Sequence, residues 1–290
     1  MTPAGGQDKI AILPPGNMAE DDLAALRAAV DSLEYPGWVG RLTKIAGKPI
    51  EVLRQTLPAG VSGVVTTATT KALNAALTVA LRTINNEGQA GSHILHKAMA
   101  TAVGAVGGGF GLAALPLELP ISTIIMLRSI LDIARAEGEN IRNPETALSC
   151  MQVFALGGRT GEVDASEASY FAVRGIFAKT VTEGARFIAQ RGLVGEGAPI
   201  LVRLVSLIAS RFGAIVTQKL ATQALAVIGG FGGAAVNYIF IDHFQEVARA
   251  HFTVRRLERI YGESIVRDAY EKFQGEMKPG VWSASVAPGM

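Results

Sequence analysis

Gly107-Gly108-Gly109-Phe110-Gly111 and Gly229-Gly230-Phe231-Gly232-Gly233 decide how this chain is read. Each cluster sits in a long run almost free of charge. Residues 98–127 hold Glu118 as their only charged residue, and residues 220–241, between Lys219 and Asp242, hold none. A glycine inside a helix costs about 1 kcal/mol against alanine. Glycines gathered in apolar runs therefore point to backbones pressed together in a dry place, either a protein core or a bilayer. The spacings Gly104-x-x-x-Gly108, Gly107-x-x-x-Gly111 and Gly229-x-x-x-Gly233 fit such contact, so these six glycines are read as helix-packing positions. The clusters also align with each other, Gly108-Gly109-Phe110-Gly111 on Gly229-Gly230-Phe231-Gly232, a hint of an internal repeat.

Composition supports helices joined through small side chains. Hydrophobic residues make up 49% and charged residues 18%, below the roughly 25% usual for soluble domains. Mean hydropathy is +0.30. No run shows convincing strand alternation, although residues 61–65 and 121–126 are β-branched enough to blur the reading. The expected fold is all-α, a single multi-helix domain around a central pair of glycine-rich apolar helices. Net charge is only +2, which leaves no global field to attract nucleic acid. Cys150 is the one cysteine, so no intramolecular disulfide forms. Residues 1–20 lack a basic stretch followed by an apolar core and do not read as a signal peptide. The expected location is cytoplasmic, peripheral at the inner face of a membrane.

Residues 1–18, rich in proline and glycine, read as a flexible lead-in, 19–274 as the helical domain and 275–290 as a flexible tail. Within the domain, helices are expected over 19–36, over 38–57 with an interruption at Gly47 and Pro49, over 60–84 and over 93–115. Pro116 to Pro120 reads as a hard break, with Pro120 opening a helix to about Gly138. Further helices are expected from Asn143-Pro144-Glu145 to Gly157-Gly158, over 165–191, from Pro199 past Lys219, over 237–261 with Gly262 as C-cap, and over 263–273.

The strings GGGFGLAALPLELP (107–120), IMLRSILDIARAEGENI (125–141), SCMQVFALG (149–157) and DHFQEVARAHFTVRRLERIYGESIVRDAY (242–270) carry a resemblance. Over residues 20–275 the chain resembles the EcsC family of bacterial proteins, named after an accessory encoded beside an ABC exporter. The resemblance implies a helical bacterial protein associated with membranes or transport. It supplies no catalytic residues.

The two apolar runs, 98–117 and 220–241, are each about the roughly 20 residues that span a bilayer. Their flanks lack aromatic belts and a one-sided cluster of Lys and Arg, so a buried helix pair is preferred over insertion. Over 200–219, Arg203, Ser206, Ser210, Arg211, Thr217 and Gln218 share one narrow face beneath a wide apolar arc. That pattern suits a helix lying on acidic lipids, with Arg203 and Arg211 facing the membrane, or a core helix with one wet stripe. Glu118, between two prolines, must find a partner or take up a proton. Arg128, Asp242 and His243 are the expected neighbours, and the four are read together as a ligand-binding group; the alternative is a helix-start carboxylate on backbone amides.

Other chemistries have little to build on. His93-x-x-His96 and His243-x-x-Glu246 each place two metal-ligating groups on one helical face, but no third is supplied by spacing, and no metal is assigned. Gly109-x-Gly111-x-x-Ala114 formally matches a dinucleotide loop but follows no strand, and no cofactor is assigned. Cys150 lies in an apolar helix and reads as structural. The leading expectation is a non-enzymatic, membrane-peripheral protein that binds lipid or a long-chain apolar ligand between its helices. The alternatives are a protein-interaction accessory of an ABC-type transporter and a metal-dependent hydrolase using His243, Glu246 and Glu118.

Overall fold

Burial on every side singles out one short helix, Pro144–Leu156, as the centre of the packing: all of its residues from Thr146 to Leu156 are buried. The computed structural model describes residues 18–35, 37–46, 60–85, 115–157, 169–191, 198–226 and 232–277. Among them the elements are helices α1 (Glu20–Glu34), α2 (Trp38–Ala46), α3 (Val61–Asn85), α4 (Leu115–Ala136), α5 (Pro144–Leu156), α6 (Tyr170–Arg191), α7 (Pro199–Ala226), α8 (Gly232–Tyr261) and α9 (Glu263–Met277). The fold is all-α, and the described helices share one hydrophobic core. Helix α5 is surrounded by α3, α4, α6, α7 and α8. Helices α1 and α9 pack on each other and on α8.

Local signals explain the element ends. Glu20, Asp21 and Asp22 occupy the first turn of α1, where the helix dipole favours negative charge. Asn143 caps α5: its Oδ1 accepts from the Glu145 N–H at 2.9 Å, and Pro144 follows where no N–H is needed. Gly138 (φ +81°) and Gly262 (φ +94°) turn the chain after α4 and α8 in the left-handed region that glycine enters freely.

Several expectations change. The break at Pro116–Pro120 is absent, because α4 begins at Leu115 and continues through Pro120. Pro116 lies in the first turn, where amide hydrogens are unpaired anyway. Pro120 leaves only the Pro116 carbonyl without its helical partner, and Pro116 is exposed, so water can serve it. Helix α8 starts at Gly232, five residues before Asn237, and α9 runs to Met277, past the helix end expected at 273. The expected central pair of glycine helices falls mostly outside the described residues: Gly104, Gly107, Gly108, Gly111 and Gly229 lie there, and Gly233 is placed in the first turn of α8.

The core under α5 is aromatic. Phe154, Phe212, Phe240 and Phe244 meet with ring centroids 5.1–6.1 Å apart, joining α5, α7 and α8. Gly157 closes α5 against this cluster. A Cβ there would lie 2.7 Å from Phe244 and 3.0 Å from His243 Nε2. Gly157→Ala is therefore expected to lower unfolding stability by about 1–3 kcal/mol through overpacking, read from the urea midpoint.

Candidate functional site

Glu118 finds its partner on α7. The Lys219 Nζ donates to Glu118 Oε1 at 2.9 Å and to Asn237 Oδ1 at 3.0 Å, and lies 4.6 Å from the centre of the Phe240 ring. Lys219 is 1% exposed and Glu118 6% exposed. Burial drives the Lys219 ammonium below its ordinary value, and Glu118 pulls it back up. The pair ties α4, α7 and α8 at one point. Around it run other buried polar groups: Ser122 and Thr123 both donate to the Leu119 carbonyl, and Thr222 donates to the Gln218 carbonyl.

The remaining members of the expected ligand group lie elsewhere. Asp242 accepts from Arg41 at 2.6 Å, and Arg41 also reaches Glu246 at 3.1 Å. His243 is 1% exposed, stacks on Trp38 with centroids 4.9 Å apart, and pairs its Nε2 with the Gly157 carbonyl at 2.9 Å. Arg128 is half-buried on α4. So Glu118 does not meet Arg128, Asp242 or His243; its charge is answered by Lys219. His243 and Glu246, the pair considered for metal, hold the Gly157 carbonyl and Arg41 instead, and His93 and His96 lie outside the described residues. No group of three metal-ligating side chains occurs among the described residues. Sequence reading missed Lys219, Asn237 and Arg41. The available signal was Lys219 itself, a lone cation bordering an apolar run with Gln218 and Thr222 beside it.

The stripe on α7 is graded in depth. Arg203, Ser206 and Ser210 are exposed, Arg211 and Thr217 half-buried, and Gln218 buried. Ser206, Ser210 and Thr217 turn their hydroxyls back onto carbonyls of their own helix at 2.8–2.9 Å. Burial alone lowers Arg211 from its ordinary value, and no ion pair reaches Arg203 or Arg211 among the described residues. Among the described residues, two helical stretches are long and apolar enough to cross a bilayer: Val61–Ile84, with mean hydropathy 1.2, and Pro199–Gln223, with 1.8. They pack on each other as α3 and α7.

Residues 21–257 match the model of the EcsC protein family. The chain belongs to this family. The match begins in α1 and ends inside α8, so it covers the buried pair, the α7 stripe and the central helix. Comparison with curated proteins and with solved structures gives no match. This EcsC protein closes its opposite end with ion pairs. Glu139 accepts from Arg255 and Thr146 and pairs with Arg259; Arg256 bridges Glu137 and Asp22. Burial pushes the Glu139 carboxyl up, but Arg255, Arg259 and Thr146 together hold it below the usual range. On α1, the buried Glu34 carboxylate accepts from the Tyr170 N–H at 3.0 Å and the Tyr270 hydroxyl at 2.7 Å, capping α6 from another helix.

Removing one member of the buried pair strands the other. Lys219→Met or Glu118→Leu alone should cost about 3–5 kcal/mol, and the double variant Lys219→Met/Glu118→Leu should cost less than the sum of the two, as read by a double-mutant cycle in urea. Acid should destabilise the fold through its buried histidines. Burial lowers His243 to about 4, and His251 falls well below its ordinary value for the same reason. The unfolded chain, with histidine near 6.5, then takes up the proton first as pH falls. Stability is thus full above about pH 6.5 and drains down to about pH 4, with His243 accounting for about 3 kcal/mol. His243→Phe should flatten that part of the pH profile.

Proposed function

We propose that this EcsC protein works without catalysis at a membrane surface, binding lipid through α7 and its neighbour α3. The observation that carries the reading is the low burial of α7. Its Pro199–Gln223 stretch is the more apolar of the two long stretches, yet only 39% of its most apolar window is buried within the protein. Val202 stands 48% exposed, and Val64 on α3 43% exposed. A core helix of that hydropathy would be covered; a helix lying in the lipid interface keeps an apolar flank outward and a thin polar stripe beside it.

The stripe suits an acidic bilayer. Arg203 and Arg211 would face lipid phosphates, while Ser206 and Ser210, already bonded to their own backbone, would enter the interface with little hydrogen-bonding penalty. Acyl chain buried against the helices adds about 0.8 kcal/mol per methylene. Glu118 has no part in this reading, since its charge is spent on Lys219. The protein would lie on the membrane rather than span it, because Lys219 and Glu118 are paired across helices in its interior.

Liposome flotation tests the proposal. The protein should float with vesicles containing phosphatidylglycerol and much less with phosphatidylcholine alone. Arg203→Glu/Arg211→Glu should reduce the floated fraction at least about tenfold and remove its salt sensitivity. Failure to float with either lipid, alongside binding to native membranes, would favour the transporter-accessory alternative.

A further inference from the structure

A second feature, independent of the membrane face, lies between α5, α6, α8 and α9. There a half-open cleft of about 560 Å³ is lined by polar and apolar walls, a size in the range of small-molecule sites. We propose that this cleft binds a small zwitterion of the α-amino acid type carrying an apolar side chain.

Three observations lead to that ligand. First, Gln152 lines the cleft, is 4% exposed, and its Nε2 has no hydrogen-bond partner among the described residues. A buried amide donor left idle is costly unless something supplies an acceptor, and a bound carboxylate oxygen would. Second, the charges are arranged in depth. Arg174 and Arg255 in the lining are largely buried and already engaged, Arg174 with both oxygens of Glu258 at 2.7 and 2.8 Å, and Arg255 with Glu139 at 2.8 Å. Their remaining N–H groups can add to the Gln152 donor, but their positive charge is answered, so a multiply charged phosphate gains little here. Glu145 and Glu263 in the lining are exposed, with no ion pair among the described residues, whereas the exposed Arg267 beside them is answered by Glu271 at 3.0 Å. A ligand with an acceptor end inward and an ammonium end outward meets both sets.

Third, Gly175 lies on the α6 wall of the cleft. It sits in mid-helix, where glycine is unfavourable, yet a Cβ there would meet nothing within 4 Å. No packing contact from the described residues asks for glycine at that position. The space before it, with Phe171 and Val181 in the same lining, fits an apolar side chain.

Calorimetric titration and thermal denaturation of the full chain test this with four probes: L-leucine, leucinamide, N-acetyl-L-leucine and inorganic phosphate. L-Leucine should bind and raise the melting midpoint. Leucinamide, lacking the carboxylate, and N-acetyl-L-leucine, lacking the ammonium, should each bind at least about tenfold more weakly. Gly175→Leu should fill the cleft and abolish binding without loss of stability. Gln152→Leu should also lose binding while unfolding no earlier than the parent, because an orphaned donor has been removed. Undiminished binding by Gly175→Leu would overturn the proposal. So would phosphate binding in preference to L-leucine, or no binding of L-leucine at millimolar concentration. If Gln152→Leu does not fold, Gly175→Leu decides alone.

Discussion

From Thr146 onward helix α5 exposes no residue to solvent, so its neighbours must be built around it. Eleven consecutive buried residues, Thr146–Leu156, demand apolar cover in all directions, and α3, α4, α6, α7 and α8 supply it. The same demand falls on its polar groups. Thr146 meets Glu139, which Arg255 and Arg259 compensate in turn; Gln152, which lines the cleft, leaves an amide N–H without a partner among the described residues. Burial thus converts a short, ordinary-looking segment into the source of both the ion-pair end and the polar cavity.

Lys219 and Glu118 set a second constraint. An ammonium and a carboxylate removed from water are tolerable only when they meet each other and their spare hydrogen-bonding capacity is filled, here by Asn237 and the face of Phe240. That requirement fixes the relative heights of α4, α7 and α8. It also sets apart the two faces of α7. The inner face of α7 is committed to this pair and to the aromatic cluster, whereas its outer face carries Val202, Arg203, Ser206 and Ser210 with nothing from the described residues in ion-pair contact.

Much of the architecture was legible because it rests on local chemistry. Asn143-Pro144 and Gly262 mark element ends by backbone rules that operate within a few residues. Pro199 opening a long helix is equally local. Pro120 misled, since whether a proline breaks a helix depends on who satisfies the carbonyl four residues back, and that is decided by exposure. Partner choice was the least legible. Arg128 lies one run away from Glu118 in sequence and Lys219 about a hundred residues away, yet long-range packing delivers the lysine. The centrality of α5 left a faint trace, a charge-free stretch after Glu145, but the glycine clusters drew attention to the longer runs.

Glu34, on α1, binds two distant parts of the chain with one carboxylate: the first amide of α6 and the hydroxyl of Tyr270 on α9. Arg27 and Glu276 add a looser contact between the same two outer helices. The opening and closing helices of the described chain are therefore stitched to one another as well as to the middle. Neither can fray in isolation, so shortening the protein from one extremity would unfasten the opposite one too.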